Sequence, residues 1–174
     1  MDNTVVRIQS TIDAKVFSDF STFNFFVLHH RWTWFVLFPI LLGGFAYANL
    51  ITGSTILCIL FIVIGCLVPL GSLLSFKISL KNQIKANSLD KVSLGYTVIL
   101  GNEGIEVITE KEKQNLAWKQ VYRLYLNKEY LYLYVSKTKA FILPFRGIEQ
   151  GSKEELIHLV SGSLPLGRFI KARF

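Results

Sequence analysis

The sequence predicts an α+β membrane protein: a transmembrane helical hairpin carrying a small antiparallel β-barrel or bent sheet that a C-terminal helix closes. Three observations predict it. No charged residue occurs between Arg31 and Lys77, an apolar run broken only by Asn49-Leu-Ile-Thr-Gly-Ser54. Short strand-like runs separated by polar turns dominate from Leu94 to Phe145. One amphipathic helix, starting at Ser152 and stopped by Gly162 and Pro165, follows them.

The N-terminal flank, residues 1–31, begins with Thr4-Val-Val-Arg-Ile-Gln-Ser10, which alternates and is rich in β-branched residues, so it reads as a strand. Ser10-Thr-Ile-Asp13 then resembles a capping box. Val16, Phe20, Phe23 and Val27 follow at spacings of four, three and four, with Phe17 and Phe26 widening the stripe. That spacing predicts an amphipathic helix leading into the first apolar segment. A lone strand needs a sheet to join, so the flank is expected to dock on the soluble domain. His29 and His30 titrate near neutrality, but beside Arg31 they read as interfacial residues.

Two apolar segments follow, about 32–50 and 54–76, each near the ~20 residues a helix needs to cross a bilayer core. From Trp32 to Leu50 there are nine Leu, Ile, Val or Phe residues, and from Ser54 to Leu74 thirteen. Neither segment has the polar face that a soluble helix turns to water. Arg31 lies before the pair, and Lys77, Lys81, Lys85 and Lys91 lie after it, while the connecting turn is uncharged. Basic flanks stay cytoplasmic, so both termini are expected there in a multi-pass arrangement. Arg31, Trp32, Trp34, Lys77 and Lys81 are the expected interface anchors. Gly43, Gly44 and Ala48 offer a small-residue face for close helix approach, with Gly65 receiving it. With no ionisable group inside the run, transport or channel function is not expected.

The net charge of +7 lies wholly in residues 77–174, which hold sixteen basic and nine acidic side chains. A basic domain tethered to a membrane feels a favourable field from anionic lipid. The lysines alternate with acids and form no arginine-rich cluster, so lipid rather than nucleic acid is the expected partner of this charge. Cys58 and Cys66 are eight residues apart, about 12 Å along a helix, too far for a disulfide. They read as small buried apolar residues. No metal site or cofactor site is expected.

Residues 77–92 continue the second apolar helix as a basic extension, and residues 93–165 form the soluble domain. Leu94–Leu100, Ile105–Glu110, Val121–Leu126, Tyr130–Val135 and Ala140–Phe145 read as strands. Lys111-Glu-Lys-Gln-Asn115 reads as a polar turn. Leu116-Ala-Trp118 leads into the third strand, and Tyr130-Leu-Tyr-Leu-Tyr134 rings one face with tyrosines. Residues 166–174 alternate bulky apolar and basic residues and are expected to lie against the inner leaflet.

The order of two apolar helices, a Gly104-Ile105 hairpin, Leu116-Ala-Trp-Lys-Gln-Val121, Tyr130-Leu-Tyr132, Ile142-Leu-Pro-Phe-Arg146 and a Glu-containing helix resembles the YcxB-like family of bacterial membrane proteins over nearly the whole chain. The resemblance implies a soluble part like a bacterial pleckstrin-homology (PH) domain and a bacterial cell-membrane location. It supplies no reaction and no catalytic residues.

For function, there is no nucleophile–base pair with an orienting acid, and Gly101-x-x-Gly104 opens no helix, so it is no phosphate loop. The expectation is a non-enzymatic, membrane-anchored interaction module that binds a protein or membrane lipids at the cytoplasmic face. An oligomer is compatible with it. The expected surface comprises Trp118, Lys119, Tyr122, Arg123, Tyr130, Tyr132, Tyr134 and Arg146. The alternative is an immunity protein against a secreted toxin or bacteriocin, with the hairpin glycines as contact points.

Overall fold

The computed structural model describes residues 5–28, 31–89, 94–165 and 167–171. The sequence predictions for His29, His30, Lys91 and the last three residues fall outside these. Two compact units are present. One holds residues 1–16 and 92–174, the other residues 17–91.

The helical unit contains most of α1 (Ala14–Phe23), a π-helical turn (Asn24–Leu28), α2 (Arg31–Ile51) and α3 (Thr55–Ala86). Asp13 caps α1, its carboxylate accepting from the Val16 N–H at 2.8 Å. α2 and α3 are long and apolar enough to cross a membrane, and only 11% and 6% of their most apolar windows are buried. Pro39 and Pro69 lie inside continuous helices. The polar residues of the turn are satisfied locally. Asn49 Nδ2 donates to the Phe45 carbonyl at 2.8 Å, and Thr52 Oγ1 donates to the Asn49 carbonyl at 3.1 Å. Gly53 takes a positive φ of 81° that other residues rarely adopt.

The helices meet through Ala46, Cys58 and Gly65, all buried. A Cβ at Gly65 would sit 3.5 Å from that of Leu42, so this glycine receives Leu42 and Pro39. Gly43, Gly44 and Ala48 are exposed instead, and nothing lies within 4 Å of a Cβ built at either glycine. The expected small-residue contact is therefore corrected: the side of α2 that bears Pro39, Leu42 and Ala46 packs, and the Gly43–Gly44–Ala48 side points outward. Cys66 is exposed too, unlike Cys58. Phe45 stacks on Phe61 with ring centroids 5.7 Å apart. At the other end Phe25 stacks on Phe76 at 4.3 Å, and Phe26 and Phe35 complete the aromatic group.

The other unit is built from strands β1 (Val6–Ile12), β2 (Leu94–Gly101), β3 (Gly104–Thr109), β4 (Lys113–Leu116), β5 (Arg123–Leu126), β6 (Tyr130–Tyr134), β7 (Ala140–Pro144), β8 (Ile148–Gln150) and β9 (Phe169–Lys171), with helix α4 (Lys153–Ser163). They form two sheets, β4-β3-β2-β1-β8 and β7-β6-β5-β9. All pairings are antiparallel except β5 with β9. The strands do not close into a barrel, so of the two expected forms the open sheet applies. The period-2 pattern explains the core: Val6 and Ile8 face in while Arg7 and Gln9 face out. Val98, Leu100, Ile105 and Val107 of one sheet pack with Leu124, Leu131, Leu133 and Leu143 of the other. Leu156, Leu159 and Val160 of α4 complete the cluster. Ser152 and Glu155 form the capping box that starts α4.

Three strands escape the sequence pattern. β4 was expected as a polar turn, and three of its four side chains are exposed because it is an edge strand. β8 is three residues long. β9 replaces the expected membrane-lying tail: after Gly167, at a φ of 87°, the chain returns to pair with β5.

Side chains join the two sheets where the ladders stop. Ser10 and Tyr96 are register partners on β1 and β2. Ser10, fully buried, donates its hydroxyl to the Ile142 carbonyl at 2.6 Å. Tyr96 donates to the same carbonyl at 2.8 Å and accepts from the Ile142 N–H at 2.7 Å. Burial pushes the Tyr96 hydroxyl above its ordinary pKa, against the opposing pull of its Ser10 and Ile142 hydrogen bonds.

Tyr96→Phe leaves the Ile142 N–H without its acceptor and should cost about 1–3 kcal/mol, read by denaturant unfolding of the micelle-held chain. A hydroxyl kept neutral by the fold stabilises fully below the unfolded tyrosine pKa of about 10, and its contribution is lost as pH rises above that. The alkaline loss of stability should therefore be smaller in Tyr96→Phe than in the parent. A Cβ at Gly147 would overlap the Gln9 carbonyl oxygen. Gly147→Ala should accordingly destabilise by about 1–3 kcal/mol in the same assay.

Candidate interaction surface

The structure divides the eight expected surface residues into two groups. Trp118 is 7% exposed and belongs to the core, and its indole N–H donates to the Gly101 carbonyl at 2.9 Å. It sits in a single 3-10 turn (Trp118–Gln120) between β4 and β5, which turns its ring inward. Tyr130, Tyr132 and Tyr134 are buried as well. Their rings pack among themselves and on Tyr125: Tyr130 stacks on Tyr132 with centroids 5.8 Å apart, and Tyr134 meets Tyr125 edge-on at 5.5 Å. These four are corrected from surface to interior. A period-2 run of tyrosines marks one sheet face in the sequence but does not say whether that face is wet.

Lys119, Tyr122, Arg123 and Arg146 are exposed. Arg146 lies apart from the other three. Its guanidinium stands 3.5 Å from the Asp13 carboxylate, beside a groove of about 410 Å³ lined by Gln9, Thr11, Pro144 and Glu149. Lys119, Tyr122 and Arg123 form one continuous surface. The Arg123 guanidinium lies 5.6 Å from the Tyr122 ring centroid and donates to the Tyr125 hydroxyl at 3.4 Å. That hydroxyl and the neighbouring rings hold the Arg123 pKa above its ordinary value.

Sequence reasoning missed Arg168, which fixes this surface from behind. Its guanidinium donates to the Val121 carbonyl at 2.7 Å and to the Lys119 carbonyl at 3.0 Å. The alternation of Leu166-Gly-Arg-Phe-Ile-Lys171 was compatible with a strand, but no second run beside it in the sequence marked β5 as its partner.

A wider groove of about 650 Å³ runs along the β2–β3 turn and β4, lined by Asn102, Glu103, Glu106, Asn115 and Gln120. Lys113 pairs with Glu106 there. Among the described residues, no three His, Cys, Asp or Glu side chains are grouped to hold a metal ion.

Trp118→Ala should cost about 3–5 kcal/mol by thermal or denaturant unfolding, as for a buried indole. Lys119→Glu and Arg123→Glu should each stay within about 0.5 kcal/mol of the parent, as for exposed side chains.

No curated protein and no solved structure gives a significant match to this chain. Residues 100–160, from the end of β2 through most of α4, match the model of the YcxB-like protein family.

Proposed function

We propose that the protein is a membrane-anchored, non-enzymatic interaction module of the bacterial cell membrane. In this reading α2 and α3 cross the bilayer as a hairpin, both termini lie in the cytoplasm, and the sheet unit is a PH-like domain that binds a partner there. One observation carries the topology. β1 precedes the hairpin and β2 follows it, yet they pair directly from Val6–Leu100 to Ile12–Leu94. Strands in one ladder lie on one side of a membrane, so the helices between them must cross an even number of times. The exposed apolar side chains of α2 and α3, such as Trp34, Ile40, Ile56 and Leu67, support the same reading. In water such a surface would drive association. In a bilayer it is solvated.

The outward row of Gly43, Gly44 and Ala48 favours a second reading, in which the hairpin binds a toxin inside the bilayer. Bulky substitution there, as in Gly44→Leu, would abolish protection in that case and leave a cytoplasmic module working.

The topology is tested by single cysteines in a Cys58→Ser, Cys66→Ser background. Thr52→Cys should react with an impermeant maleimide on intact cells, and Ser136→Cys should react only after permeabilisation. Labelling of both positions, or of Ser136→Cys alone, on intact cells contradicts the hairpin topology.

A further inference from the structure

The strand register gathers cations at one end of the β7-β6-β5-β9 sheet. β5 begins at Arg123, opposite Tyr134, where β6 ends. The Tyr122 N–H continues that ladder to the Tyr134 carbonyl at 2.8 Å. Beyond Tyr134 the chain turns through Lys137 and Lys139 and re-enters as β7 at Ala140, again opposite Tyr134. The turn is held by its own hydrogen bonds: Ser136 Oγ accepts from the Lys139 N–H at 3.0 Å, and the Val135 N–H donates to the Lys139 carbonyl at 3.0 Å. The segment carrying Lys119 precedes β5 at this end, and Arg168 pins it. Lys119, Arg123, Lys137 and Lys139 are all exposed, and the Arg123 guanidinium lies over a Tyr122 ring that is itself 38% exposed.

The chain segments that carry these charges hold no acids. Residues 117–126, 134–148 and 164–171 contain no Asp or Glu. Among the described residues none of the four exposed cations forms an ion pair, whereas Arg7, Lys113 and Arg146 of the same unit each face a carboxylate. Glu103 and Glu106 line the groove that also includes Gln120, and Glu106 is held by Lys113.

We infer that this end of the sheet, Lys119, Arg123, Lys137 and Lys139 with Tyr122, is a docking surface for the anionic phospholipid headgroups of the membrane that anchors the chain. The inference rests on the anchored reading above. Three features select lipid over other polyanions. The same chain carries two helices long and apolar enough to cross a bilayer, so on the anchored reading the unit is tethered to a headgroup surface. Four separated cations, on two connections and the first residue of β5, match a diffuse charged surface better than one bidentate ligand. Tyr122 adds a half-exposed ring of the kind that sits at headgroup level. Each cation near an anionic leaflet should raise docked occupancy roughly fivefold, and salt should weaken the effect.

The test uses the full chain with both native cysteines replaced by serine and a fluorophore on Thr138→Cys. It is reconstituted in nanodiscs of phosphatidylcholine, or of phosphatidylcholine with about 30% phosphatidylserine, that carry a headgroup-linked quencher. Quenching should be several-fold stronger in the anionic discs and should fall to the neutral level in about 0.5 M salt. It should also be lost in Lys119→Glu/Arg123→Glu/Lys137→Glu/Lys139→Glu and kept in Lys111→Glu/Lys128→Glu, which reverses exposed charges elsewhere. Equal quenching in the two lipids, or quenching that survives high salt, overturns the inference while the anchored reading stands. The salt titration of the parent decides the matter even where the quadruple variant does not fold. A chain that fails to enter neutral discs at all overturns the anchored reading, and this inference with it.

Discussion

Backbone ladders leave the sheet unit as two separate sheets, and the hydrogen bonds at Ile142 hold them together. The peptide of Ile142 lies where β7 passes β1 and β2 without pairing to either. Its carbonyl accepts from both Ser10 and Tyr96, and its N–H donates to Tyr96. Inside an apolar core an unsatisfied peptide group is costly, so these two hydroxyls fix the separation and register of the sheets as well as their contact. The apolar cluster behind them, from Val6 to Val160, packs against a geometry set at that point. β8 then reaches β1 through the close approach of Gly147 to Gln9, a place with no room for a side chain.

Much of this architecture was legible in the sequence because it rests on local pattern. The apolar helices show themselves by length and by the absence of charge. β2, β3, β6 and β7 show themselves by alternation and by the turns between them. What stayed hidden depends on distant partners. β4, β8 and β9 are short edge strands whose pairing with β3, β1 and β5 supplies what their own residues lack. The β6 tyrosines read as one sheet face, but alternation sorts residues onto faces without saying what each face meets. The exposed part of the candidate surface, Lys119, Tyr122 and Arg123, was legible as a row. Its extension to Lys137 and Lys139 needed the β5–β6–β7 register.

The two units obey different rules. In the sheet unit, packing is decided by apolar side chains that leave water. In the helical unit the apolar side chains stay exposed, and the contact falls on Gly65, where Leu42 and Pro39 can come close. The polar side chains of its connecting turn, Asn49 and Thr52, are satisfied within a turn of their own position. This economy suits a medium that offers no hydrogen bonds. The same chain therefore carries one unit that folds by hiding its apolar surface and one that is complete with that surface showing.

The placement of β1 has a consequence for the order of events during synthesis. This strand is synthesised before α2 and α3, but its partner β2 emerges only after the whole of both. β9, which pairs along the far edge of β5, follows the other eight strands. The sheet therefore cannot assemble progressively from the N-terminus. β1 stays without its β2 partner until both apolar helices have been made. Synthesis of the apolar helices thus precedes completion of the five-stranded sheet, and a chain in which they hold β1 and β2 apart leaves β2 without its β1 partner.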